Sequence, residues 1–385
     1  MGARQSSCTT SSNVTPASAG ASTADRSAPR GPQVVHLVPE APGGIRDYAE
    51  NIRRVWSRSG IECRILALAQ RAVATSPLWS QLDEPQARGT GAICLVVHYS
   101  GYGYSSRGLC GWLNQQLADA REHFGPRLRI VVMFHELYAS GPPWRSAFWL
   151  QGRQERIAAQ LANLSDVTMT NTGVHARWLE QHLGHGRSVT VWPVFSNVGE
   201  PLSLAPHGAR PRRLVVFGSE STRKRALQQV HRHSSQLADL GIDELVEVGA
   251  GRGVGAWPPP LRASFAGRLE ESALGDLLAQ SAFGLIEYPL HCMGKSTVFA
   301  AYAAHGCVIL NAGTSREAAD GLTPGEHFLS LDPRRRGVPN AEELRRIALN
   351  AKGWYDQHTL AVQTAALAET CGLGPSAAGP PASED

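Results

Sequence analysis

The sequence predicts an α/β protein built from two doubly wound domains in tandem. Three observations predict it. Apolar, strand-like runs alternate with amphipathic helical stretches along most of the chain. The alternation stops at a segment rich in proline and glycine and then starts again. The length of 385 residues also exceeds what one ordinary core accommodates.

The first alternation begins at Gln33-Val34-Val35-His36-Leu37-Val38. Further strand-like runs fall at residues 63–68, 92–97, 130–134, 167–170 and 189–194. Most are continuously apolar, as expected of strands covered on both faces of a parallel sheet. Between them, Ile45, Tyr48, Ile52, Val55 and Trp56 keep helical spacing, as do Trp112, Leu113, Leu117 and Phe124, and Ile157, Leu161 and Leu164. This bounds a first domain over 31–198. Residues 199–213 read as a linker. A second domain over 214–355 carries strands near 214–217, 245–248, 264–266, 283–287, 308–310 and 328–331. Its last helix holds Leu344, Ile347, Ala351 and Trp354, and residues 356–385 read as the helix end and a disordered tail. Residues 1–30 are rich in Ser, Ala and Thr without an apolar centre, which fits a disordered tail and not a secretory signal.

Composition narrows the function classes. Hydrophobic residues make up 42% and charged residues 18%. No run approaches the roughly 18 apolar residues of a membrane span. The formal charge of +4 suits anionic ligands and allows a peripheral contact with an acidic membrane surface. No aromatic-basic module of a nucleic-acid binder is evident, so the expectation is no nucleic-acid partner. The 7 cysteines are scattered without a C-x-x-C pair, which argues against a zinc site or a disulfide framework and fits a reducing cytosol. The expected location is cytoplasmic, with the inner membrane face allowed. Nothing in the sequence fixes the oligomeric state.

Two doubly wound domains leave a cleft at the carboxyl ends of their strands, so chemistry is sought in the loops there. After the strand at 283–287 the chain reads Tyr288 to Met293, then Gly294-Lys295-Ser296-Thr297, and opens a helix. A glycine, a lysine and two hydroxyls at a helix start suit a phosphate, whose charge meets free amides and the positive dipole end. A full Walker loop is absent, because Pro289 stands where its first glycine belongs. A hydroxyl N-cap beside a solvated lysine explains the same residues. The loop Gly218 to Arg225 follows the first strand of the second domain and carries Arg223, Lys224 and Arg225, of which Arg223 is the expected diphosphate contact. Gly43 and Gly44 sit between the first strand and its helix. His135 and Glu136 end a strand and could orient or deprotonate a hydroxyl. Tyr138 and Trp144 lie just beyond, with rings suited to stacking on sugar faces, and His98 ends another strand. A buried, hydrogen-bonded histidine is the competing reading of His135. The glycine-rich run from Gly249 to Gly255 fails the dinucleotide fingerprint at Val254.

The Gly43-Gly44 turn, the His135 strand end, the Arg223 loop and the Lys295 loop together resemble bacterial glycosyltransferases with two Rossmann-like domains, the GT-B type. The resemblance spans residues 33–355. Residues 284–306 are similar to the donor-binding strand-loop-helix of the retaining family-four transferases, ending in Ala303-Ala304-His305-Gly306 where those often show Ala-Cys-Gly. It implies a metal-independent, hexosyltransferase-like enzyme acting in glycan, polysaccharide or glycosylated-metabolite biosynthesis. The donor would be a nucleoside-diphosphate sugar, a co-substrate with no further cofactor, and the acceptor a sugar, a lipid-linked molecule or a small molecule. It also implies that Gly43, Gly44, Arg223, Lys295, Ser296 and Thr297 hold the donor diphosphate, and that Gly267, Arg268 and Leu269 lie near the base. His135 and Glu136 would be catalytic, with His98, Tyr138 and Trp144 on the acceptor side. The sequence departs from the family where its two glutamates stand: those positions hold Met293 and Ala301. A nucleotide-sugar epimerase and a non-catalytic nucleotide-sugar binding module are the alternatives.

Overall fold

The structure, a computed structural model, describes residues 32–83, 91–251, 253, 261–313, 317–332 and 337–373. The expected tail at 1–30, the end of the expected C-terminal tail and Val254 lie outside the described residues.

The first domain is a six-stranded, all-parallel sheet in the order β2-β1-β3-β4-β5-β6. Its strands are β1 (Gln33–Pro39), β2 (Cys63–Leu68), β3 (Ile93–Tyr99), β4 (Leu128–Phe134), β5 (Val167–Thr170) and β6 (Val189–Val191). Three of them, β1, β3 and β4, are buried along almost their whole length, which explains why they read as unbroken apolar runs. Successive residues of β1 serve opposite faces: Val35 and Leu37 pack with Leu95 and Val132, whereas Val34 packs with Trp56 and Val96.

The second domain repeats the plan with β7 (Arg213–Phe217), β8 (Glu244–Val248), β9 (Arg262–Phe265), β10 (Phe283–Ile286), β11 (Val308–Asn311) and β12 (Leu329–Ser330). The order β12-β11-β10-β7-β8-β9 is again all-parallel and is the doubly wound dinucleotide-domain order. The expected architecture of two Rossmann-like domains is therefore observed.

Three local readings change. The strand expected over 189–194 stops at Val191, because Pro193 has no amide to donate to a ladder. The next amide, Val194 N, instead donates to Gly294 O of the second domain at 2.7 Å. Within the expected linker, Arg210 is buried and donates to His305 O at 2.7 Å and Gly306 O at 3.2 Å, anchoring the linker at the end of helix Thr297–Ala304. Beyond Asp356 the chain does not trail off directly. A separate helix, Leu360–Thr370, returns to the first domain and packs on helix Gly44–Arg58. There Tyr48 donates to Gln363 Oε1 at 2.7 Å and Trp56 Nε1 donates to Thr364 O at 3.0 Å. One buried apolar cluster runs from Tyr48 and Trp56 through Phe195 to Phe299 and Trp354, so the two domains share core.

Candidate functional site

In doubly wound sheets a ligand sits where neighbouring strands send their connections to opposite faces. In the first domain that point lies between β1 and β3, and in the second between β7 and β10. The segments after β1, β7 and β10 hold Gly43, Gly44, Arg223, Lys295, Ser296 and Thr297; the other expected residues follow β4 or β9 or, for His98, lie within β3.

On the first-domain side, Gly43 precedes helix Gly44–Arg58 with no side-chain cap on its first amides. Nothing lies within 4 Å of where a Cβ would sit at Gly43 or Gly44, so this helix start faces open space. Helix ends normally recruit a side chain, water or ligand for these groups. On the second-domain side, helix Thr297–Ala304 is closed differently. Ser296 is buried and its hydroxyl accepts from Phe299 N at 3.2 Å, the ordinary N-cap bond. Thr297 is half-buried.

Lys295 is the charge at this point. Its Nζ lies 3.8 Å from Glu136 Oε1, an ion pair across the two domains. Glu136 is half-exposed and its other oxygen accepts from Ser100 Oγ at 2.9 Å. The Lys295 loop is packed directly onto the first domain. A Cβ on Gly294 would collide with the Asn171 carbonyl oxygen, so this glycine permits contact between domains.

Arg223 is corrected. It is buried, and its guanidinium donates to Glu247 Oε1 at 3.0 Å, Gly218 O at 2.9 Å and Ala250 O at 2.5 Å. A Cβ on Gly249 would overlap the Arg223 guanidinium, which accounts for the first glycine of the run set aside as a dinucleotide motif. Its neighbours Lys224 and Arg225 are exposed. Arg225 lies close enough to Tyr288 to oppose the rise of its phenol, which burial, reinforced by Cys292 and Glu136, pushes up to about 12.

His98 is not on an accessible surface: it is wholly buried between His36 and His135. His135 is buried too, and burial holds it down at about 4, so it is a neutral ring rather than an exposed base. Tyr138 packs its ring 5.4 Å from that of Trp178. Trp144 is 83% exposed, with Phe148 and Trp149 also exposed nearby in the chain. Gly267 accepts from Gly249 N at 2.8 Å, Arg268 is exposed, and Leu269 packs on the core shared by the domains.

Several residues of the site were not singled out in the sequence. His175, on the helix Gly173–His182, is held neutral at about 4 by burial, with Lys295 and His291 reinforcing this. Asp320 reaches from the second domain to cap that helix, its Oδ1 accepting from Gly173 N at 2.8 Å. It is the one non-glycine residue with positive φ among the described residues, at 53°. The Asp320-Gly321 pair was the available signal, since such dipeptides tolerate left-handed backbone. His36 was visible as the one polar residue inside an apolar strand. Among the described residues no three His, Cys, Asp or Glu side chains are grouped to hold a metal ion. No helix among them is long and apolar enough to cross a membrane.

The sequence matches no family model and no curated protein. Its fold matches solved structures. An α,α-trehalose-phosphate synthase (UDP-forming) from Burkholderia vietnamiensis aligns at 12% identity with a TM-score of 0.55, covering 89% of this chain and 99% of that one. An α-glucosyltransferase in complex with UDP-glucose and DNA containing an abasic site aligns at 12% identity with a TM-score of 0.52, covering 85% and 95%. The same type of enzyme with UDP and a 13-mer DNA containing an HMU base aligns at 9% identity with a TM-score of 0.52, covering 89% and 99%. These DNA complexes overturn the expectation that nucleic acid is excluded, because a neighbour of the same fold holds DNA. At these identities the likeness concerns architecture, and the architecture of this chain is the GT-B fold.

Proposed function

We propose that the protein transfers a sugar from a nucleoside-diphosphate sugar to an acceptor hydroxyl. The observation that carries this reading is the Lys295–Glu136 ion pair across the two domains, with an uncapped, open helix start at Gly43-Gly44 following β1. Neighbours of the same fold that bind UDP or UDP-glucose support it. In this reading the amides at Gly44 and Thr297 and the charge of Lys295 meet the diphosphate. Arg225 takes the role expected of Arg223. As the acceptor oxygen bonds to the anomeric carbon, the bond to the diphosphate breaks, and these groups stabilise the leaving charge. Glu136 is the proton acceptor, since His135 is enclosed. A bound diphosphate competes for Lys295 and frees the Glu136 carboxylate.

Gly267, Arg268 and Leu269 are assigned to the base, and Tyr138 and Trp144 to the acceptor side. With Met293 and Ala301 in place of the glutamate pair, the family-four subtype and the stereochemical outcome are left unassigned. No cofactor beyond the donor is invoked, and protein cations offset the diphosphate charge, so turnover should survive EDTA. The exposed Trp144, Phe148 and Trp149, with Arg145 and Arg153 exposed nearby in the chain, favour a second acceptor class, because rings and guanidinium groups stack on nucleobases.

The test is a thermal-shift screen of nucleoside diphosphates and their sugars, followed by release of the free diphosphate with sugar or duplex-DNA acceptors. A bound donor must raise the melting temperature. No shift with any nucleotide and no release would reject the reading. Epimerised donor without an acceptor would support the epimerase instead, and binding without turnover the non-catalytic module.

A further inference from the structure

Three histidines stand side by side on neighbouring strands of the first domain: His36 on β1, His98 on β3 and His135 just past β4. Nδ1 of His36 lies 2.9 Å from Nε2 of His98, and Nδ1 of His98 lies 3.1 Å from Nε2 of His135. All three are buried. Tyr48 meets the His98 and His135 rings edge-on at 5.7 and 5.1 Å, and Trp56 lies 5.3 Å from His36. Burial lowers the affinity of all three for a second proton, with His36 and His135 held at about 4.

A neutral imidazole has one N–H and one lone pair. A row of three can therefore be polarised in only two ways. Either every ring carries its proton on Nδ1 and donates toward His135, or every ring carries it on Nε2 and donates toward His36. The two ends of the row distinguish these. His36 Nε2 is buried without a hydrogen-bond partner. In the second arrangement it would be an orphaned buried donor, a rare and costly state, whereas in the first it is only a bare acceptor. At the other end lies Asn171. Its Nδ2 donates to Trp192 O at 2.8 Å, and its Oδ1 is buried without a hydrogen-bond partner, near enough to His135 to favour a proton there. The first arrangement leaves an N–H on His135 for that nearby oxygen, and the second leaves two acceptors near each other.

We propose that His36 and His98 are positioning residues that fix His135 as the neutral Nδ1–H tautomer, with Nε2 occupied by the His98 N–H. Each hydrogen bond selects the tautomer of the next ring. The row stops at His36 Nε2, so it holds a polarity and does not conduct a proton. Its cleft end rests on Asn171, whose carbonyl packs on Gly294 beside Lys295. The charged group that acts on His135 from the second domain is Lys295, which disfavours a second positive charge there. A neutral His135 thus leaves Glu136 as the neighbouring proton acceptor. Only this last consequence rests on the proposed transfer reaction.

The test is nitrogen NMR of the full chain labelled with ¹⁵N-histidine, with the His135 signals assigned by a His135→Gln variant. The expected spectrum at pH 7 shows a protonated Nδ1 and an unprotonated Nε2 for His135, unchanged down to about pH 5. An Nε2–H tautomer, or an imidazolium at pH 6, would overturn the proposal with no variant needed. In His98→Gln the acid limb of the kcat–pH profile of donor turnover should move up by about one unit or more, with KM for the donor retained. An unmoved limb in a folded His98→Gln protein counts against positioning. Absence of any turnover counts against the transfer reading and leaves the spectrum to decide the tautomer.

Discussion

The two domains meet the cleft with opposite helix starts. The first-domain helix at Gly43-Gly44 is uncapped, exposed and surrounded by open space. The second-domain helix at Thr297 is capped by its own Ser296, buried, and docked against the other domain through Gly294. The first side is backed by neutral histidines, and the second carries the full charge of Lys295. The difference teaches that phosphate-like motifs are not equivalent. An uncapped helix start offers its first amides to an anion, whereas the Ser296-capped one has its third amide engaged and adds a lysine beside the others.

Acid should break the first side most strongly. His36, His135 and His175 are held at about 4 against 6.5 in the unfolded chain. Between those values the unfolded state binds more protons, so stability is full above about 6.5 and is lost as pH falls toward 4. Each shift corresponds to an upper bound on the order of 3 kcal/mol. Melting temperatures at pH 7, 6 and 5 should fall in that order, and a flat series would contradict the buried, neutral state.

Lys295→Ala removes the charged side. Turnover should fall by about 100-fold or more with folding retained, as for loss of one preorganised transition-state donor. Gly44→Asp places a carboxylate in the open helix start. Helix stability should hold or rise slightly, while donor affinity drops by roughly 30-fold, about 2 kcal/mol, as like charges meet. Calorimetric titration with UDP, read beside the melting temperature, separates the two effects. Gly294→Ala should act in reverse, costing about 1–3 kcal/mol of stability through overpacking against Asn171. Ser296→Ala should cost about 1 kcal/mol, the worth of an N-cap. If urea unfolding showed Ser296→Ala to be neutral while donor binding vanished, the hydroxyl would belong to the ligand and not to the helix.

Much of the architecture was legible because it is written in local patterns. Continuous apolar runs located β1, β3, β4 and β10. The site was legible only in part. The sequence pointed to Glu136 and Lys295 separately, and the structure pairs them. The sequence could not show that Arg223 turns inward, because its partner Glu247 lies 24 residues away on β8. Nor could it show Asp320 capping a helix 147 residues earlier, or the row of histidines joined across three strands. Those contacts depend on sheet order, which no single stretch of sequence contains.

The returning helix Leu360–Thr370 has a mechanical consequence. The chain passes from the first domain to the second before β7 and back again after Asp356, so the domains are joined by two adjacent spans. Glu200 ties the spans together, accepting from Leu360 N at 2.8 Å and from the Tyr355 hydroxyl. A body held by one tether can swing in any direction, but a body held at two points turns about the line between them. Any rearrangement that parts Lys295 from Glu136 must therefore bend both spans together.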